Sequence, residues 1–205
     1  MKKIAFLLFL FGFQILAQHT IKGELTTEEN LPTWLILYQL KGAEQKYVLN
    51  DAITNGKFEI TLPNNAEKGV YRLMYASAPN STIDFLFLGE DLALKFNHVQ
   101  PNTTLHFKNS ESNKLYLNYI KKTNLLQQKI DSIQLHYFNL TNDDNKIFTE
   151  NLYKKATEKY VEIQNEFETN AKDGFVKSYI KQQQKYYAPT IIASPQMYLN
   201  SEREN

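Results

Sequence analysis

"SESNKLYLNYIKKTNLLQQKIDSIQLHYFNL", Ser110 to Leu140, contains no proline and no glycine. Tyr116, Tyr119, Thr123, Leu126, Ile130, Ile133, Tyr137 and Leu140 recur along it in alternating steps of three and four. That spacing is the seam of a helix of about thirty residues, roughly 45 Å long. Ser110 is suited to cap its first turn, and Glu111 places a carboxylate where the helix dipole favours one. The stretch decides the fold, because everything before it follows a different period.

From about residue 19 to 108 the apolar residues alternate. "TIKGEL" sets Ile21 and Leu25 against Lys22 and Glu24. "KFEITL" sets Phe58, Ile60 and Leu62 against Lys57, Glu59 and Thr61, and "LALKFN" repeats the pattern with Leu92, Leu94 and Phe96. Turn signals separate the runs at Asn55-Gly56, Pro79–Ser81 and Gly89–Asp91. Asn-Gly between alternating strands is a strong hairpin signal. The spacing predicts about eight short strands in an antiparallel β-sandwich or small barrel. "WLILYQL" and "IDFLFL" are apolar on both faces, which makes them central strands or strands covered by another element.

Beyond the long helix, "TNDDN" (Thr141–Asn145) breaks the seam and offers a cap for a second helix. Phe148, Leu152, Ala156, Tyr160, Ile163 and Phe167 form its apolar stripe. Gly174 reads as its C-terminal stop, and a third, shorter helix is expected from Phe175 to about Tyr186. Two long helices joined by a short loop fold back antiparallel and bury their stripes together. Coiled-coil dimerisation between chains is the alternative. The intramolecular hairpin is favoured because the second stripe follows directly on the first.

The totals exclude some functions. The chain has 205 residues, 42% of them apolar, so it can bury a core. Its formal charge is +1, and loss of Lys2 and Lys3 with a leader would make it −1. That balance carries no footprint for nucleic acid. Only 7 glycines are present, and no phosphate-cradling loop, dinucleotide fingerprint or GxSxG elbow occurs. The chain has no cysteine, so thiol catalysis, thiolate metal sites and disulfides are outside its chemistry.

The N-terminus reads as an export leader. "MKK" is a basic n-region, "IAFLLFLFGFQIL" an apolar h-region, and Ala17 a small residue before a cut at Gln18, although Ile15 suits the −3 position less well. The apolar run is short for a membrane span. No Cys follows it, which excludes lipid attachment in the bacterial lipoprotein manner. The expected location is therefore the periplasm or cell envelope.

Candidate chemical groups are few. His98 and His106 flank a Pro-Asn turn and would meet across a hairpin as a zinc pair, against the plainer reading of two solvated strand histidines. His19 and His136 have no partner at ligand spacing. Glu90 with Asp91, and Asp143 with Asp144, sit where acidic residues are ordinary, in a turn and at a helix start. Tyr71 and Tyr75 share one face of "VYRLMYA", and "KYYAP" (Lys185–Pro189) is basic and aromatic. An exposed row of such rings would stack sugars or bases. Tyrosines that bury the ring and expose the hydroxyl are commoner. The sequons at Asn80 and Asn102 carry meaning only in a glycosylating host. No catalytic, cofactor-binding or metal residue is assigned.

The order of the strand half is also informative. "TIKGEL" leads to "TWLILYQL", then to a polar strand entering "NGKFEITL", then "GVYRLMY", then "DFLFLGEDLALKF", and a helix opens at "NSESNKLYLNYI". This resembles the N-terminal domain of unknown function that precedes the thioredoxin-like domain in exported TlpA-type thiol:disulfide interchange proteins. "APTIIASPQMYLN" is similar to the linking region of such proteins. The resemblance covers about half the chain and implies a truncated form without the CxxC-bearing domain. It supplies no catalytic residue, because no position here matches one. The expected division is a signal peptide at 1–17, a β-sandwich at 18–109, a helical hairpin arm at 110–187, and a linker or truncated C-terminal region at 188–205.

The expected function is a non-enzymatic accessory module of an exported thiol:disulfide interchange protein, with a thioredoxin-like domain or an envelope protein as partner and no cofactor. A stand-alone exported binding protein for a peptide or glycan is the alternative, and an exported hydrolase ranks below both.

Overall fold

A computed structural model describes residues 18–191, apart from 28 and 79. The expected leader, residues 1–17, and residues 192–205 lie outside the described residues, as does Pro79 of the expected turn. The strand half forms two four-stranded sheets. One has the order β4 (Lys57–Thr61), β1 (Thr20–Leu25), β7 (Leu92–Phe96), β8 (His106–Phe107). The other has the order β3 (Glu44–Ala52), β2 (Trp34–Lys41), β5 (Gly69–Met74), β6 (Thr82–Phe87). All pairings are antiparallel except β1 with β7, which runs parallel from Ile21 opposite Leu92 to Leu25 opposite Phe96.

Alternation produces the sandwich core. Ile21, Leu35, Leu37, Ile60, Leu73, Phe85, Leu94 and Phe96 point between the sheets and are buried. Each fully buried side chain of this kind contributes about 1.5–3 kcal/mol. Phe58 lies so closely over Gly23, its cross-strand partner, that a Cβ at Gly23 would meet the ring at 2.0 Å.

The Asn55-Gly56 signal makes a tight turn. Thr54 and Lys57 exchange main-chain bonds of 2.9 and 3.0 Å around Asn55 at φ 51° and Gly56 at φ 70°. Positive φ at both central residues is the geometry Asn-Gly favours. The flanking strands then part, and the turn hands the chain from one sheet to the other. Of the two strands apolar on both faces, β2 is central, whereas β6 is an edge strand covered by a helix.

After a four-residue helix α1 (Pro101–Thr104) and β8, the long helix α2 spans Glu111–Phe138. Ser110 caps it and Glu111 sits in its first turn. Helix α3 (Asp143–Asn170) is capped by Asn142, whose side chain accepts from Asp144 and Asn145 N–H at 2.8 and 3.3 Å. The two helices pack as an antiparallel hairpin within one chain. Thr123, a polar member of the seam, satisfies its hydroxyl on the Tyr119 carbonyl at 2.8 Å. Among the described residues, no helix is long and apolar enough to cross a membrane.

Two helix details differ from the sequence reading. The stripe of α3 is Thr149, Tyr153, Ala156, Tyr160, Ile163 and Phe167, whereas Phe148 is 64% exposed and Leu152 38%. Steps of four overshoot a turn by about 40° each, so a run counted back in fours from Tyr160 and Ala156 winds off the face at Leu152 and Phe148. The buried set keeps alternating steps of four and three. Secondly, Gly174 does not end α3. That helix stops at Asn170, and Gly174 is the first residue of α4 (Gly174–Gln182), capped by Asp173. The Asp173 carboxylate accepts from Phe175 and Val176 N–H at 2.8 and 3.3 Å, which starts a helix where a left-handed glycine would have ended one.

Helix α4 folds back on the arm, and Gln164 of α3 donates to the Ile180 carbonyl at 3.2 Å. A second core of Val70, Leu86, Tyr119, Phe167, Val176 and Ile180 joins the outer face of β5 and β6 to the helices. The chain stays packed on the arm past residue 187, with Ala188 and Ile191 both buried.

Candidate functional site

The junction of sandwich and arm is built on Asn113. This residue lies four positions before Leu117 and seven before Ile120, so it shares their face of α2 rather than the seam through Tyr116, and it is 1% exposed. Its amide pairs with the main chain of Leu86 in β6. The Leu86 N–H donates to Asn113 Oδ1 at 2.8 Å, and Asn113 Nδ2 donates to the Leu86 carbonyl at 2.8 Å. The helix thereby takes the place of a neighbouring strand at one rung of the edge.

The cap residue secures this amide. Ser110 Oγ accepts from Asn113 N–H at 3.3 Å and from Asn113 Nδ2 at 3.0 Å, and donates to Glu90 Oε1 at 2.5 Å. Among the described residues no buried side-chain nitrogen or oxygen lacks a partner, as burial demands.

Beside Asn113 the edge opens into a cleft of about 380 Å³ between β6, α1, β8 and α2. Leu105, Phe107, Leu117 and Ile120 give it apolar walls, and Asn102, Lys121 and Asn124 give it a polar rim. Thr82 and Asp84 of β6 border it. The Asp84 carboxylate is bound at both oxygens by Arg72 across the β5–β6 pair, at 2.6 Å each. The Tyr116 phenol at the inner wall accepts from Gln183 Nε2 at 3.0 Å, and burial pushes its pKa upward, so it stays neutral. Such a site can hold a ligand by main-chain and amide hydrogen bonds over an apolar floor.

A broader depression of about 600 Å³ lies over the outer face of β1, β4 and β7. Four of its six charged side chains pair with one another: Lys22 with Glu59 at 2.8 Å and Lys108 with Glu24 at 3.2 Å. Hydrogen bonds from Lys95 and Lys108 hold the Glu24 carboxyl below its usual range. Self-paired exposed charges are ordinary surface, so the cleft is the better candidate.

The residues singled out in the sequence do not meet there. His98 is bonded through Nδ1 to Thr27 Oγ1 at 2.5 Å, while His106 lies on β8 opposite Lys95 and is exposed. His19 stands edge-on to Phe87 at 5.4 Å and 3.6 Å from Asp91. His136 lies in the last turn of α2. Among the described residues, no three acidic or histidine side chains gather as metal ligands. Glu90 anchors the cap, Asp91 accepts the Thr20 N–H at 2.8 Å, and Asp143 and Asp144 occupy the first turn of α3.

Tyr71 and Tyr75 form no exposed row. Both rings are buried, and their hydroxyls donate to the carbonyls of Glu67 and His98 at 2.8 and 3.0 Å. In "KYYAP", Lys185 Nζ and the Tyr187 hydroxyl both donate to Gln127 Oε1 at 2.8 Å, and the Tyr187 ring meets Tyr160 at 5.2 Å. That segment ties the chain to the arm. The residue missed from sequence is Asn113, which lies one position off the seam and shares a face with Leu117 and Ile120.

No protein-family model matches this chain, and no curated protein matches it.

Proposed function

We propose that this chain is a non-catalytic interaction module of an exported thiol:disulfide interchange protein, and that it receives a partner segment in the cleft between sandwich and arm. The cleft carries the reading. It sits where two structural units meet, a common place for ligands, and its polar groups are suited to binding rather than proton transfer. The redox context comes from the resemblance of the strand half and the opening of α2, and the export context from the leader. With no cysteine of its own, the chain would act by positioning a thiol-bearing partner.

The test is equilibrium binding of the purified protein to thioredoxin-like envelope domains from the same host, with their disulfide-reducing rate followed in parallel. Saturable binding that is weakened at least tenfold by Asn124→Trp, at the exposed mouth of the cleft, supports the proposal. Partners that neither bind nor change rate overturn it.

A stand-alone exported peptide-binding protein is the second reading. Its support is that one chain supplies every wall of the cleft.

A further inference from the structure

The geometry points to a specific occupant of the cleft: a short extended peptide that adds as a strand along β6 at Thr82 and Asp84. This deepens the cleft reading and rests on it.

In an antiparallel pair, alternate residues turn both main-chain groups toward the partner strand and the rest turn them away. Leu86, opposite Val70, is of the second kind, because Asn113 bonds its N–H and its carbonyl from the far side. Asp84 opposite Arg72 and Thr82 opposite Met74 lie two and four residues along, so their N–H and C=O groups face the same way. Ser81 fits this phase, since its carbonyl accepts from Tyr75 N–H on the β5 side at 3.1 Å. The four outward groups of Thr82 and Asp84 have no partner among the described residues.

A carboxamide is chemically a peptide unit. Asn113 therefore shows what this edge accepts: one donor and one acceptor at strand spacing. Beyond it the edge continues for two further rungs, at about 7 Å per pair of residues. A segment of about three residues would match them. Its inward side chain would meet Leu105 and Phe107, and its other face would lie under Leu117 and Ile120. Sugars offer no such repeat of alternating donors and acceptors.

Charge defines one end. Asp84 is already neutralised by Arg72. Lys121 rests on the Thr103 carbonyl at 3.5 Å and forms no salt bridge among the described residues. The favoured peptide is thus apolar at its centre, with a carboxylate reaching Lys121.

The test uses the full chain with a pool of extended pentapeptides that alternate apolar and polar residues and end in a free carboxylate. Each is paired with a copy N-methylated at the two amides that would face β6. Amide NMR shifts and hydrogen exchange report the site. The expected result is binding that slows exchange at Thr82 and Asp84, weakens roughly three- to tenfold per methylated amide, and is lost in Asn124→Trp. Binding in the cleft that ignores N-methylation overturns strand addition while leaving the cleft reading intact. If no pentapeptide binds but a thioredoxin-like domain does, the inference falls and the proposed function stands. A glycan bound there in place of the peptides also overturns it.

Discussion

Asn113 and Leu86 are joined by two hydrogen bonds of 2.8 Å, one in each direction, between a helix side chain and a strand main chain. Edge strands are liabilities because their unpaired groups template further pairing. Here the helix that follows the sandwich closes one rung of the edge itself. The same contact sets where the arm departs, since Ser110 holds both the cap and the amide.

Asn113→Leu keeps the volume and removes both bonds, leaving the N–H and carbonyl of Leu86 buried and unpaired. The expected loss is about 2–4 kcal/mol in urea unfolding. Asn113→Asp retains the acceptor but offers no donor and adds a carboxylate near Glu90, so part of its loss should return on acidification. A loss below ~0.5 kcal/mol for Asn113→Leu would mean that apolar packing alone seats the arm.

Gly23 and Phe58 form a second obligatory pair. A Cβ at position 23 would lie 2.0 Å from Phe58 Cζ. Gly23→Ala should cost roughly 1–3 kcal/mol through displacement of the ring. Phe58→Leu in that background should restore part of it, giving a coupling energy of opposite sign to the single losses. Additive losses in the double mutant would refute the steric account.

Tyrosines set the alkaline limit. Burial pushes Tyr75 from the ordinary 10 up to about 12, and it also raises Tyr71 and Tyr160. A raised folded pKa means the folded state holds its proton more tightly than the unfolded state. The stability this provides is whole below pH 10 and is lost as pH rises toward the folded values. Tyrosinate absorbance should therefore rise in two stages, the second coinciding with loss of near-ultraviolet circular dichroism. Ionisation of all 13 tyrosines in one step near pH 10, with the fold intact, would contradict the burial.

What the sequence made legible was local. Asn55-Gly56 announced its turn, Ser110 its cap, and the seam from Tyr116 its hairpin, because each depends on neighbours within a few residues. The parallel pairing of β1 with β7 joins Ile21 to Leu92, and no local pattern encodes a contact across that separation. The cleft was hidden for the same reason. Thr82, Asn102 and Asn124 are unremarkable singly, and only the crossing of α2 over the β6 edge brings them together. Asn113 stood one position off the seam, and a polar residue in the first turn of a helix reads as ordinary until its partner strand is known.

The register of α3 offers the sharpest check on the arm. Tyr153 is 3% exposed in one cluster with Ile130, while Phe148, like Leu135, Phe138 and Ile147 in the turns that flank the loop of the hairpin, is exposed. Tyr153→Ala should cost about 3–5 kcal/mol, as for other buried aromatic rings. Phe148→Ser should change stability by less than ~0.5 kcal/mol, and it should reduce self-association seen by light scattering, because it removes part of an apolar surface. The reverse ranking would place Phe148 on the α2-facing side and turn the helix by about 100°, one residue's worth of rotation. The four-step stripe through Leu152 would then be the correct one, and Thr149 would lose the buried site in which its hydroxyl now donates to the Asn145 carbonyl at 2.8 Å.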